Sequence, residues 1–256
     1  LENFLKHMKY SKLRRIYLDF SQEDFDNLII NSPSQIHYIR NVIRLKLSDV
    51  IRIFNEIVGE YAAKVVACDK KEIKLEIIED ISSKKPLHTP NLSIAPSIIK
   101  NDKFTDLIDA SIQQGTTEIF PLITEYTNFK KLPIQRIERI ITEATEQSER
   151  FDKATLHPAI KLQELDYSTF EAVIFANEKS DVDEVCDCSI FKKENILLLT
   201  GPEGGFSQEE LNFLQNLPNS CSISLGARIL RAETAINCLI SYTNFVRHFS
   251  WNPSKH

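Results

Sequence analysis

The chain has 256 residues, 42% of them hydrophobic and 26% charged, with a formal net charge of −5. That composition fits a globular protein with one large core or two domains and excludes a disordered or low-complexity chain, and no apolar run is long enough to span a membrane. The five cysteines, an odd number, form no disulfide framework and are expected to be reduced; Cys186-x-Cys188 and the six scattered histidines lack zinc-site spacing, so no metal is expected.

Residues 1–10 mix Glu2, Lys6, His7 and Lys9 with few apolar side chains, so no secretory signal is expected there and the cytoplasm is the default location. Between Leu1 and Arg52, nine Lys or Arg residues stand against six acids. Such a basic excess either offers phosphates a patch or is a solvated face. Residues 50–54 and 61–66 predict strands around a turn at 55–59, and 73–77 alternates apolar with charged residues as a half-buried strand does. Together they predict a small β-rich barrel domain over residues 1–83. Two prolines and little apolar content then predict a linker over 84–91. Over 92–256, strands at 92–96, 119–123 and 172–176 interleave with helices at 102–114 and 134–151, the alternation of an α/β domain with a mostly parallel sheet.

Further along, Ile196-Leu197-Leu198-Leu199 reads as a strand buried on both faces, followed by Thr200-Gly201-Pro202-Glu203-Gly204-Gly205-Phe206. Ser207-Gln208-Glu209-Glu210 then supplies a Ser-x-x-Glu capping box opening a helix that carries Leu211, Leu214 and Leu217. The plan repeats with a strand at 222–225, a loop from Gly226, and a helix whose face is marked by Ile236, Leu239, Ile240 and Thr243. Four of the six glycines lie in these two loops. Glycine admits close approach of backbone to ligand, and loops after parallel strands are where α/β proteins bind small molecules. Neither Gly-x-Gly-x-x-Gly nor a P-loop pattern occurs, which removes the main support for a dinucleotide or phosphate-binding nucleotide site.

The pair Gly201-Pro202-Glu203-Gly204-Gly205-Phe206-Ser207 and Leu225-Gly226-Ala227-Arg228-Ile229-Leu230-Arg231-Ala232-Glu233-Thr234-Ala235 resembles the signature of the RsmE family, SPOUT-class methyltransferases of small-subunit ribosomal RNA. Glu143-Ala144-Thr145-Glu146-Gln147-Ser148-Glu149-Arg150 is similar to that family's Glu-Ala-x-Glu-Gln-Ser-x-Arg helix. His37, with Val42-Ile43-Arg44-Leu45-Lys46 and Asp49, resembles its His-x-x-x-Val-Leu-Arg-x-x-x-Gly-Asp segment. The resemblance implies a PUA-like RNA-binding barrel followed by a trefoil-knotted α/β domain. It also implies a homodimer with active sites at the subunit interface, S-adenosylmethionine as methyl donor, and N3 of a uridine in 16S RNA, free or in the 30S subunit, as acceptor.

By the same resemblance, Thr200, Gly201, Glu203, Gly204 and Gly205 form one wall of the donor site, and Leu225, Gly226, Ile229, Leu230 and Ala235 the other. Arg231 is the expected catalytic group, a fixed cation that stabilises the anion left when N3 of uridine loses its proton. Glu233 is its orienting partner or proton acceptor, or else a helix-start carboxylate with a structural role. Arg14, Arg15, Arg44, Lys46 and Arg228 are expected to hold RNA, as are Gln147 and Arg150 from one helix face, where a plain solvent face or dimer contact is the alternative. The chain departs from the family pattern at Ala110, Gln113 and Tyr126, where a cation, a carboxylate and an arginine are usual, and at Ser48, where glycine is usual. These departures keep two other readings open, a methyltransferase with a different RNA target and a non-catalytic ribosome-assembly protein.

Overall fold

The structure, a computed structural model, describes residues 9–82, 90–129, 131–178 and 188–248. The chain divides into two compact units, one of Leu1–His88 with Thr145–Lys153, the other of Thr89–Ala144 with Ala154–His256. The contiguous division expected from sequence therefore misses one segment, Thr145–Lys153, which belongs to the first unit. Most of the expected linker, its residues 84–89, lies outside the described residues.

In the first unit, β1 (Arg15–Tyr17), β2 (Leu28–Ile30), β3 (Val50–Asn55), β4 (Gly59–Cys68) and β5 (Ile73–Asp80) form one sheet in the order β1-β3-β4-β5-β2. β1 runs parallel to β3 and the other pairings are antiparallel. Register shifts between Ala62 and Ala63 and between Val65 and Ala67 bend the β4–β5 pair, as bulges do. The core is aliphatic: Ile16, Leu18, Ile51, Ile53, Val65, Ile73 and Leu75. Asn55 organises the β3–β4 turn. Its Nδ2 donates to the carbonyls of Leu18 and Phe20 at 3.0 and 2.8 Å, and its Oδ1 accepts from the amides of Ile57 and Val58. Ser48, standing where the resembling family favours glycine, has φ +72°, the left-handed conformation that glycine adopts without strain.

The second unit is built on a six-stranded parallel sheet in the order β13-β11-β12-β6-β7-β9. Its strands are β6 (Asn91–Pro96), β7 (Glu118–Ile119), β9 (Thr155–Leu156), β11 (Ala172–Ala176), β12 (Asn195–Thr200) and β13 (Ser220–Ile223), with a separate parallel pair of β8 (Leu122–Ile123) and β10 (Ile160–Lys161). Alternation along β12 serves two cores. Ile196 and Leu198 pack with residues of the helices Asn101–Gln113, Ile134–Gln147 and Ala232–His248, while Leu197 and Leu199 pack with Leu211 and Leu214 of the helix Gln208–Gln215.

Three boundaries differ from expectation for identifiable reasons. The strand expected at 119–123 is two strands, split at Pro121, which has no N–H to continue a ladder. The helix expected to reach 151 ends at Gln147, and Glu149 takes a left-handed φ of +57° that no helix accommodates. The strand expected at 222–225 is Ser220–Ile223, so Ser224 and Leu225 already belong to the loop.

Candidate functional site

β11, β12 and β13 are adjacent and parallel, so the segments that leave their carboxyl ends share one rim. There the two glycine loops line a single cleft, and all ten residues expected to form the donor walls line it: Thr200, Gly201, Glu203, Gly204, Gly205, Leu225, Gly226, Ile229, Leu230 and Ala235. Arg228 lines it too, as do Ala176, Asn177 and Glu178 from the end of β11, which sequence reasoning missed. The strand itself was legible, and its central place between β12 and β13 is what brings its last residues into the site.

The first loop tolerates no side chain at its start. A Cβ on Gly201 would lie 2.8 Å from the carbonyl carbon of Gly205 and 3.0 Å from the amide nitrogen of Phe206. The Gly205 amide donates to the Pro202 carbonyl at 2.9 Å, closing a turn, and Gly205 has φ +70°. The expected capping box then fixes the loop's exit. Ser207 Oγ accepts from the Glu210 amide at 3.3 Å and Glu210 Oε2 accepts from the Ser207 amide at 2.9 Å. Glu210 Oε1 accepts from the Glu125 amide at 2.8 Å, which ties in the segment carrying Tyr126. Tyr126 in turn packs against Gly204. In the second loop Gly226 has φ +106°.

Thr200 Oγ1 is buried in the cleft wall and has no hydrogen-bond partner among the described residues. A buried hydroxyl normally has one, so this atom fits a site completed by a ligand. The donor set of the cleft, glycine-loop backbone, one free hydroxyl and apolar Leu225, Leu230 and Ala235, suits an amphiphilic molecule. Among the described residues no cluster of His, Cys, Asp or Glu could hold a metal.

Arg231 and Glu233 do not line the cleft. Arg231 is exposed, between Leu230 and Ala232, which do line it; its carbonyl accepts from the Ala235 amide at 2.8 Å as the helix Ala232–His248 begins. Glu233 lies in the first turn, 4.0 Å from Lys103 Nζ. Its place at a helix start suits a carboxylate structurally as well.

Two expected RNA contacts, Arg15 and Arg150, need correction, as does the shared helical face expected of Gln147 and Arg150. Arg15 is buried, its Nε donating to Glu60 Oε1 at 3.0 Å and its Nη1 to the Arg150 carbonyl at 2.6 Å, with its guanidinium 3.3 Å from the Phe54 ring centroid. Burial opposes its charge and Glu60 restores it. A cation so enclosed does not face RNA. Gln147 and Arg150 do not share a helical face, because the helix ends between them, and Arg150 is held by Asp152 at 2.6 Å. Glu146 of the same motif accepts from the Tyr17 amide at 3.0 Å and the Tyr38 hydroxyl at 2.9 Å. The motif thus has a structural task within the first unit that helical periodicity did not reveal. Gln147, Arg14, Arg44, Lys46 and Arg228 are exposed.

A family model described as an RNA methyltransferase domain matches residues 85–244, and one described as an RNA methyltransferase PUA domain matches residues 30–78. The chain thus carries an RNA methyltransferase domain. Ribosomal RNA small subunit methyltransferase E of Rickettsia conorii is 36% identical over 230 residues, covering 89% of this chain and 92% of that protein. The chain belongs to the ribosomal RNA small subunit methyltransferase E family. Its fold is shared with a Legionella pneumophila methyltransferase solved with bound SAM (TM-score 0.78, 24% identity, covering 91% of this chain and 97% of that one). It is likewise shared with a Neisseria gonorrhoeae ribosomal RNA small subunit methyltransferase E solved with S-adenosyl methionine (TM-score 0.72, 23% identity, covering 91% and 98%). No described helix is long and apolar enough to cross a membrane.

Proposed function

We propose that this enzyme transfers a methyl group from S-adenosylmethionine to N3 of a uridine in small-subunit ribosomal RNA. The observation that carries the reading is the convergence of both family loops on one cleft, with an unpartnered Thr200 hydroxyl in its wall. When bound, S-adenosylmethionine supplies an electrophilic sulfonium methyl. The backbone of Gly201–Gly205 and Gly226, with Thr200 Oγ1, would hold its polar edges, and Leu225, Leu230 and Ala235 its apolar surface. Arg231, exposed beside the cleft, would stabilise the negative charge that spreads onto the uracil carbonyl oxygens as N3 gives up its proton. Glu233, 4.0 Å from Lys103 Nζ, would orient Arg231 or take that proton.

Arg14, Arg44, Lys46, Gln147 and Arg228 are the exposed candidates for holding RNA, which must also supply energy for extruding the base, about a few kcal/mol. The reading extends to the family's remaining expected features: a trefoil knot in the second unit, a homodimer with one cleft per subunit, and a cytoplasmic setting. Sedimentation and an experimental chain trace test the first two.

The test is methyl transfer from labelled S-adenosylmethionine to unmodified small subunits and to free 16S RNA, with the product nucleoside identified. The expected product is N3-methyluridine, and Arg231→Ala should lower turnover by roughly 100-fold or more with donor affinity unchanged. Tyr126, packed on Gly204 where the family usually has arginine, favours a second reading, the same chemistry on a different RNA base. A different methylated nucleoside would select that reading, and donor binding without transfer would select a non-catalytic one.

A further inference from the structure

We propose that Glu178 is the residue by which the cleft distinguishes the sulfonium donor from its demethylated product. The inference rests on the cofactor reading above. Among the described residues, the ionisable ones lining the cleft are Glu178, Glu203 and Arg228, two acids and one base. Several carboxylates drawn into the fold elsewhere are engaged: Glu60 with Arg15 and Arg52, Glu118 with Asn91 and Ser93, Glu146 with Tyr17 and Tyr38, and Glu210 with Ser207 and Glu125. Among the described residues, none pairs with the side chains of Glu178, Glu203 or Arg228. Their charge is free to act on a ligand.

Glu178 is also the most central of the three. β11 lies between β12 and β13, so its end emerges between the two glycine loops. The neighbouring Asn177 fixes the backbone there, its amide donating to the Ile223 carbonyl at 2.9 Å and its Nδ2 to Ser222 Oγ at 3.3 Å. The donor carries a sulfonium, an ammonium and a carboxylate, a net single positive charge that complements the acid excess among the described lining residues. On transfer, the methyl carbon bonds to N3, the S–CH3 bond breaks, and its electron pair stays on sulfur, which becomes a neutral thioether. The product has lost the charge that the acid excess favours. Glu178 therefore weakens retention of product relative to donor and keeps the adenosine contacts, common to both, from making the product an inhibitor.

Calorimetric titration of the full chain with S-adenosylmethionine and with S-adenosylhomocysteine tests this. Glu178→Gln should weaken donor binding roughly fivefold and product binding less than twofold, the size expected for one partly solvated charge pair. In the wild type, raising salt should erode donor affinity more than product affinity, a readout of the same charge that needs no substitution. Equal losses for both ligands, or no loss for either, together with equal salt slopes, would overturn the proposal. A wild-type protein that binds neither ligand would sink the cofactor reading itself, and this proposal with it.

Discussion

The first unit and the cleft of the second use the same charged residue types to opposite ends. In the first, Arg15, Arg52 and Glu60 are almost wholly buried and paired, Glu60 Oε1 lying 3.0 Å from Arg15 Nε and 3.3 Å from Arg52 Nη1, with Glu149 3.0 Å from Arg52 Nη2. In the cleft, Glu178, Glu203 and Arg228 are exposed and none is paired among the described residues. A charge withdrawn from water costs several kcal/mol unless a partner compensates it, so a buried arginine signals a partner already in place. An exposed charge at the rim of a glycine cradle has made no such commitment. The lesson is that arginine count locates neither RNA nor ligand; what matters is whether each charge is already satisfied by the fold.

The largest effect expected from breaking this contrast is on stability. Glu60→Ala leaves Arg15 and Arg52 buried without their shared carboxylate, and should lower the unfolding free energy by about 3–5 kcal/mol in urea titrations. Donor binding per folded molecule should stay within about twofold, because no residue of the cleft is altered. A stability loss below about 1 kcal/mol would mean that the cluster is far better hydrated than its burial indicates.

Gly201→Ala attacks the other region. The added methyl meets the Gly205 backbone at 2.8 Å, and backbone cannot swing aside as a long side chain can. The loop must shift, at a cost of about 1–3 kcal/mol, and donor affinity should fall by roughly tenfold or more in calorimetry. Gly226→Ala meets nothing within 4 Å and carries only the strain of φ +106°, so its effect should be smaller. A larger loss at Gly226 than at Gly201 would reverse the roles of the two loops.

The legibility of the two regions in sequence differs in the same way. The cleft could be read because its signals are local: glycines where backbone must approach, a Ser-x-x-Glu box that caps a helix as written, and an uninterrupted apolar run in the strand before the first loop. The ends of β11 were missed because membership of the rim depends on strand order, which no local pattern encodes. The first unit was legible only in its longer strands. β1 and β2 are three residues each, too short to establish a period. Arg15 lies on β1 and answers Glu60, 45 residues away, so its basic character was visible and its burial was not. Residues 148–150 were misread as helical for the same reason, since the contacts of Glu146 and Arg150 are with residues more than a hundred positions earlier.

A milder substitution should stabilise the first unit. Ser48 holds φ +72° between Leu47 and Asp49, while its amide donates to the Val65 carbonyl at 2.8 Å. Ser48→Gly keeps that hydrogen bond and removes the left-handed strain, offset in part by the greater freedom of glycine in the unfolded chain. A net gain of about 0.5–1 kcal/mol in urea unfolding is expected. A loss would mean that the serine side chain contributes more than its conformation costs.

The smallest effect depends on pH and concerns a carboxylate that the fold has already satisfied. Burial works to raise Glu118, but hydrogen bonds from Asn91 at 3.0 Å and Ser93 at 3.0 Å, with His157 at 3.2 Å, hold it below its ordinary value of 4.5. A carboxylate depressed on folding adds stability that is fully present above its unfolded value and is lost as pH falls through its folded one, because the unfolded chain then binds the proton first. Wild-type stability should therefore decline as acid is added below about pH 4.5, and Glu118→Gln, which cannot titrate, should show a shallower decline over that range. If Glu118→Gln left the acid limb unchanged, the hydrogen bonds from Asn91, Ser93 and His157 would add nothing to stability above that range, and the reading of Glu118 as a carboxylate already satisfied by the fold would lose its footing.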